Sequence, residues 1–328
     1  MPVFVLDFFG TVLQVLGAVD ESDLSFFFGP HLTGRRDELR QGPLSLHFAY
    51  RPGGGTGREV RVLDGEGTML RRWAYHGPGG IPPVLPPFAV MNRTYAVVQA
   101  AVLAKGAETV ALVGGIGSPR NALALALGGH GWRMVSGQYL VIERATGRTL
   151  PYQLPLELRG AALETARAAG LADGPGGDLR SVSSPLTGTA HLVRPERLIA
   201  AAGPAERLGP ARLVRLCTTG AHRCRLEEWE FAPSVWPPEA ARDPALAGAP
   251  RMRLQLPETG AAEEAADLLD ERLTATANGA APCPAAPRTP REAPAGSTTW
   301  ASTPPGRGSS TRPSSGGGSD PRATAATT

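Results

Sequence analysis

The segment from Thr109 to Leu127 constrains this chain most. A strand-forming run, TVALV, ends at a glycine-rich turn, GGIGSPRN, and passes directly into an Ala/Leu-rich run from Asn121 to Leu127. Such a run, bounded by glycine and followed at once by a helical pattern, predicts a buried strand feeding a helix in an α/β layer. Turns in this position aim backbone N–H groups at an anion, helped by the partial positive charge of the helix N-terminus.

A working phosphate-binding loop reads GxxxxGK[ST]. Its last Gly lets the backbone approach the phosphates, its Lys reaches their far end and its hydroxyl residue holds Mg²⁺. The eight positions here are Gly114, Gly115, Ile116, Gly117, Ser118, Pro119, Arg120 and Asn121. The closing Gly-Lys-Ser is therefore Pro-Arg-Asn. Arg120 keeps a positive charge but not the compact ammonium. Pro119 removes one N–H and fixes φ. Asn121 offers Mg²⁺ only a neutral oxygen, where hard cations favour sets with charged oxygens.

Around this unit the chain divides into three parts. Residues 1–90 read as a β-rich layer: VFVLDFF and TVLQVL flank Gly10, and LSLHFAY and REVRVL alternate between glycine-rich breaks. Residues 91–232 read as the α/β core, with a helix predicted over 92–103 and strands at Trp132–Val135, Tyr139–Glu143, Arg212–Leu216 and Leu226–Phe231. From 233 onward, Pro233, Pro237, Pro238, Pro244 and Pro250 mark a linker. A helix is predicted over 261–273, and a disordered tail follows. From Thr274 to Thr328 there is no Leu, Ile, Val, Phe, Met or Tyr, so burial has little to set against ordering entropy.

The run LVGGIGSPRNALALALGGHGWRMVSGQYLVIERATGRTLPYQLPLELRG, in this order and spacing, resembles the catalytic core of the HPr kinase/phosphorylase family, which includes HPr-kinase-like proteins of bacterial peptide biosynthesis. The resemblance implies an α/β P-loop domain with a mixed β-sheet, beside a β-rich N-terminal layer. It also implies ATP and Mg²⁺ as cofactors. Position by position, the family's catalytic His falls on Gln99 and its Asp pair on Gly137 and Gln138. The P-loop falls on Gly114, Gly115, Gly117, Ser118, Arg120 and Asn121. The metal side falls on Asn121 and on Glu157, in an ExRG stretch with Arg159 and Gly160. Gly137 and Gln138 carry no titratable group, although general-base catalysis typically contributes ~10²–10⁴-fold and phosphoryl transfer rests on positioning and charge neutralisation. The expectation is a kinase fold with transfer reduced or lost and nucleotide binding kept, weakened or lost: a pseudokinase or binding or scaffold protein in bacterial peptide modification. On this alignment, restoring Gly at 119, Lys at 120 and Asp at 137 should raise nucleotide affinity.

Two other functions stand beside it. One is an active ATP-dependent serine or peptide kinase using unusual residues. The other is a phosphatase of the haloacid-dehalogenase type, with Asp7 of VLDFFGTVL as nucleophile. That chemistry needs a lysine, and the chain has one, Lys105. The Arg-rich tail accounts for the basic balance. Without its five Arg and two acidic residues, 28 basic residues face 28 acidic ones, so composition gives no support to a basic nucleic-acid face. Cys217 and Cys224 read as buried free thiols, and no spacing of the six His suggests a metal site. No apolar run is long enough to span a membrane, and the start lacks a secretory pattern. A cytoplasmic protein with a peptide or protein partner is expected, and self-association stays open.

Overall fold

The computed structural model describes residues 3–17, 21–38, 46–52, 58–63, 66–75, 94–114, 118–168, 170–171, 178–184, 188–218, 222–229, 244–257 and 261–279. They form one unit ending at Ala281, a mixed α/β arrangement with several sheets and few helices. The turn residues 115–117 and the segment from 282 to 328 lie outside the described residues.

The N-terminal layer is a six-stranded sheet. It comprises β1 (Val3–Phe8), β2 (Thr11–Gly17), β3 (Leu32–Arg36), β4 (Leu46–Pro52), β5 (Arg58–Leu63) and β6 (Met69–Tyr75), ordered β3-β1-β2-β4-β5-β6. Phe8 pairs with Thr11, so only Phe9 and Gly10 make the β1–β2 turn. Both have positive φ, 59° and 95°, as the tightest hairpins require. Phe9 is a costly residue for that backbone. Asp7 Oδ1 accepts from Gly10 N at 2.7 Å, and Tyr95 Oη donates to the Phe9 carbonyl at 2.7 Å, which together hold the turn.

A short helix, α1 (Glu21–Phe28), lays Leu24, Phe26, Phe27 and Phe28 against this sheet. Its aromatic core includes buried His31, whose ring lies 4.6 Å from Phe8 and 5.5 Å from Tyr152. His31 Nδ1–H donates to the Asp7 carbonyl at 3.2 Å, which leaves Nε2 bare and buried with no partner among the described residues. Burial drops the imidazole pKa from 6.5 to about 4.

The central sheet contains β8 (Ala101–Lys105), β9 (Glu108–Val113), β10 (Arg133–Ser136), β16 (Arg212–Thr218), β17 (Arg225–Glu228) and β18 (Arg251–Leu256), in the order β10-β8-β9-β16-β18-β17. Its middle strands β9, β16 and β18 run parallel, as expected of apolar runs buried on both faces. One face packs on α2 (Arg120–Gly129), α3 (Gly160–Ala168) and α5 (Ala262–Gly279) through Leu123, Leu127, Leu163, Leu269 and Leu273. The other packs on a three-stranded sheet of β7 (Tyr95–Gln99), β11 (Tyr139–Glu143) and β12 (Thr149–Leu150) through Val98, Leu140 and Ile142. A second three-stranded sheet, β13 (Leu156–Leu158), β14 (Leu179–Ser184) and β15 (Gly188–Val193), has order β13-β15-β14, and α4 (Pro244–Ala247) precedes β18.

The structure departs from the sequence expectations in two places. The helix expected over 92–103 is instead two strands, β7 and β8, with residues 91–93 outside the described region. Alanine favours helix, but pairing with β11 and β9 buries Val98 and Val102, and tertiary context overrides propensity. The linker expected from 233 holds β18, an interior strand, while the helix expected over 261–273 is present as α5 but reaches Gly279 and covers the central sheet. The disorder expected from Thr274 therefore starts too early. Its remainder lies outside the described residues.

Asp270 fastens α5. Its Oδ1 accepts from Lys105 Nζ at 2.6 Å and from Trp132 Nε1 at 2.7 Å, and His130 sits 3.3 Å from Asp267 on the same helix. Burial alone would raise the Asp270 carboxyl, but the hydrogen bonds from Lys105 and Trp132 outweigh it and hold the pKa below the usual range.

Two expectations follow from this packing. The unfolded chain takes up a proton at His31 near pH 6.5 while the folded chain resists until about pH 4. The stability linked to this group is thus intact above pH 6.5 and falls by about 3 kcal/mol as pH drops to 4. Urea midpoints between pH 8 and 4 should show the loss, and His31→Leu should flatten it. Separately, Asp270→Ala leaves the Lys105 and Trp132 donors without their acceptor and should cost ~1–3 kcal/mol. Asp270→Asn should cost less, read as urea midpoints at pH 7.

Candidate functional site

The glycine turn joins β9 to α2, as the apolar run and the Ala/Leu pattern dictate. Gly114 ends the strand, and Pro119 precedes the first helical residue, its carbonyl accepting from Leu123 N at 2.9 Å. A Cβ at Gly114 would stand 2.5 Å from Ser118 Oγ, so only glycine lets the chain close here. Gly115 and Gly117 lie outside the described residues.

Arg120 folds back on this turn. Its Nη1 donates to the Gly114 carbonyl at 3.4 Å, a weak contact by distance. Burial lowers the Arg120 pKa, and the facing Glu157 carboxylate and Tyr139 hydroxyl raise it. Burial also raises the Tyr139 pKa, with Arg120 opposing. Asn121 Nδ2 donates to the Glu157 backbone carbonyl at 2.6 Å and so ties the start of α2 to β13. Ser118 Oγ, Arg120 Nε and Asn121 Oδ1 are buried with no partner among the described residues.

The positions matched to catalytic residues lie at the neighbouring corner. Gln99 is the exposed end of β7, not a helical residue, and pairs directly with Tyr139 of β11. Opposed residues of an antiparallel pair share a face, so Gln99 sits beside the tyrosine that faces Arg120. Ala100 N donates to the Gln138 carbonyl at 3.0 Å, and Gln138 Nε2 donates to the Pro155 carbonyl at 3.1 Å. Gly137 is buried under β13: a Cβ there would be 2.6 Å from Leu156 Cδ2 and 3.5 Å from the Leu154 carbonyl. A carboxylate at 137 would meet a methyl group and a carbonyl oxygen.

One corner therefore gathers Gly114, Ser118, Arg120, Asn121, Glu157, Gln99 and Gln138. Sequence reasoning passed over two further residues. Tyr139 directly follows Gln138, and its strand pairing with Gln99 was the available signal. Leu156 stands beside Glu157, and no local pattern aims it at Gly137.

Among the described residues, the side chains that would hold a Mg²⁺-bound nucleotide are engaged with other groups. Glu157 is the carboxylate here, and its Oε1 already accepts from Arg159 Nε at 2.5 Å while Arg120 faces it. Among the described residues, no three of His, Cys, Asp or Glu cluster as a metal site would need. Asn121 spends its amide N–H on the β13 carbonyl. The phosphatase constellation is not assembled either. Asp7 caps a hairpin turn, and Lys105, the lysine that chemistry requires, is paired with Asp270. Cys217 and Cys224 are free and partly exposed rather than buried. Burial pushes the Cys224 thiol up to about 11, with Glu264 adding to the effect. No helix of the described residues is long and apolar enough to cross a membrane.

No family model matches the chain, and no curated protein matches it. Among solved structures, the chain is similar to the HPr(Ser) kinase/phosphatase from Coxiella burnetii, at 13% identity and a TM-score of 0.28, over 56% of this chain and 96% of that one. That overlap is too loose to assign a family.

If Leu156 fills the base position, Gly137→Ala should destabilise the protein by about 1–3 kcal/mol through overpacking, and Gly137→Asp by more. Denaturation midpoints check this. The recovery of nucleotide affinity expected of an aspartate at 137 should not appear, because Leu156 occupies the space it needs.

Proposed function

We propose that this chain is a catalytically silent protein of the HPr-kinase type that acts by binding, as a scaffold for a peptide or protein partner in bacterial peptide modification. One observation carries the reading. Gly137, which the family resemblance sets at the base position, carries no titratable group and is buried against Leu156, whose Cδ2 would lie 2.6 Å from a Cβ there. The other groups of the corner agree. Glu157 is neutralised by Arg159 and faces Arg120, Asn121 is committed to β13, and Gln138 is committed to Pro155. A set without base, metal carboxylates or lysine lacks each means by which phosphoryl transfer is driven.

Incubation with ATP, Mg²⁺ or Mn²⁺ and serine-containing peptides should release no labelled phosphopeptide, and wild type and Arg120→Ala should give the same background. Metal-dependent turnover lost in Arg120→Ala would overturn the reading.

A further inference from the structure

β18 is an interior strand that pairs in parallel with β16, a position where both faces are normally apolar. It is apolar on one face. Met252, Leu254 and Leu256 enter the core beneath the helices, while Arg251, Arg253 and Gln255 alternate with them on the other side. There the sheet of β7, β11 and β12 packs on Leu213 of β16 and Leu246 of α4, and no further residue of β16 or β18 joins that apolar cluster. Beyond it the strand register assembles a polar face. Arg215 stands opposite Arg253 and Arg253 opposite Glu227, while Cys217 stands opposite Gln255 and Gln255 opposite the exposed Arg225. The Arg215 guanidinium lies 5.1 Å from the Trp229 ring centroid, and Arg253 and Gln255 both donate to Glu227. Arg215, Arg225, Arg251 and Arg253 thus share one carboxylate on this side of the sheet.

The opposite side of the same strands carries the reverse sign. α5 covers it, and the outward stripe of α5 presents Glu263, Glu264, Asp267 and Glu271, all exposed, with Glu228 of β17 beside it on Arg272 at 3.5 Å. Glu263, Asp267 and Glu271 follow one another at i, i+4 spacing, where like charges oppose helix formation. The first-turn pair gains from the helix dipole, but Asp267 and Glu271 lie beyond its reach. Both faces therefore crowd like charges, arginines on neighbouring strands and carboxylates along one helix, and such breaches of local preference concentrate where a surface has a use. Their dimensions agree as well. Two strand spacings from β16 to β17 make ~10 Å, and the stripe from Glu263 to Glu271 runs ~12 Å.

We propose that these two faces bind each other between molecules: the arginine face of β16, β17 and β18 in one copy takes the α5 carboxylate stripe of a second copy. The faces lie on opposite sides of one sheet, so two copies cannot satisfy both at once, and copies add head to tail. Exposed ion pairs are individually weak and screened by salt, so the assembly is reversible and comes apart on dilution. It is independent of the silent corner and holds whether or not that corner transfers phosphate.

Sedimentation equilibrium of the full chain tests this. In salt of about 0.01 M, where charges act over ~30 Å, the weight-average mass of wild type should climb with concentration past twice the single-chain 34.2 kDa. In salt of about 1 M, where they act over ~3 Å, it should fall back to the single-chain value. Arg225→Gln with Arg253→Gln disables one face, and Asp267→Asn with Glu271→Gln disables the other, so each double variant alone should stay monomeric. An equal mixture of the two should form pairs of one of each and nothing larger, because only one intact face of each sign remains. Should a double variant fail to fold, Arg225→Gln and Glu271→Gln, both at exposed positions, take its place. Wild type that stays monomeric at every concentration in low salt overturns the proposal and leaves the arginine face to an acidic partner of another kind. Association that survives high salt, variants that assemble as wild type does, or a mixture that stays monomeric overturns it as well.

Discussion

Three consecutive residues of β13 hold the corner at the end of β9 together. Leu156 fills the space over Gly137, the Glu157 carboxylate faces Arg120 while its carbonyl holds Asn121, and Leu158 enters the core beneath α2 and α3. Displacing this short strand would uncover Gly137 and loosen the start of α2 together. Its hold comes from pairing with β15, which in turn pairs with β14. The chemistry of the corner is thus set by a strand that is itself fixed by long-range packing.

Aromatic rings carry much of the contact between the two layers, with Arg180 and Arg194 over the Phe26 ring at its edge. His31 and Phe8 lie against Tyr152, and Tyr152 lies 6.0 Å from Tyr139, which faces Arg120. Closely packed rings of this kind transmit displacement because interiors have few voids to absorb it. The cost is a buried imidazole that must stay neutral. The burial that lowers the His31 pKa therefore makes protonation of this ring in acid unfavourable for the folded N-terminal layer.

Much of the frame was readable from local pattern. The Thr109–Val113 run and the Ala/Leu helix appear where expected, because a fully buried strand and an amphipathic helix leave strong local signatures. Gly10 between two alternating runs marked the first hairpin for the same reason. The Ala-rich segment at 95–105 misled, since alanine reads as helix and only β9 and β11 make it strand. The strand at 251–256 was hidden by the prolines before it, and its role as an interior strand depends on parallel pairing with β16, a contact that local pattern does not reveal.

For the site itself, the sequence by itself determined which groups these positions lack: there is no lysine or hydroxyl at Arg120 and Asn121 and no titratable group at Gly137 and Gln138. Only the tertiary structure decided what stands in their place. That Leu156 packs on Gly137, that Arg120 turns back to a carbonyl, and that Tyr139 shares a face with Gln99 are facts of strand register and side-chain reach. Residue identity fixes the chemistry a position can offer. Packing between distant segments fixes which groups that chemistry meets, and local periodicity carries no record of such contacts.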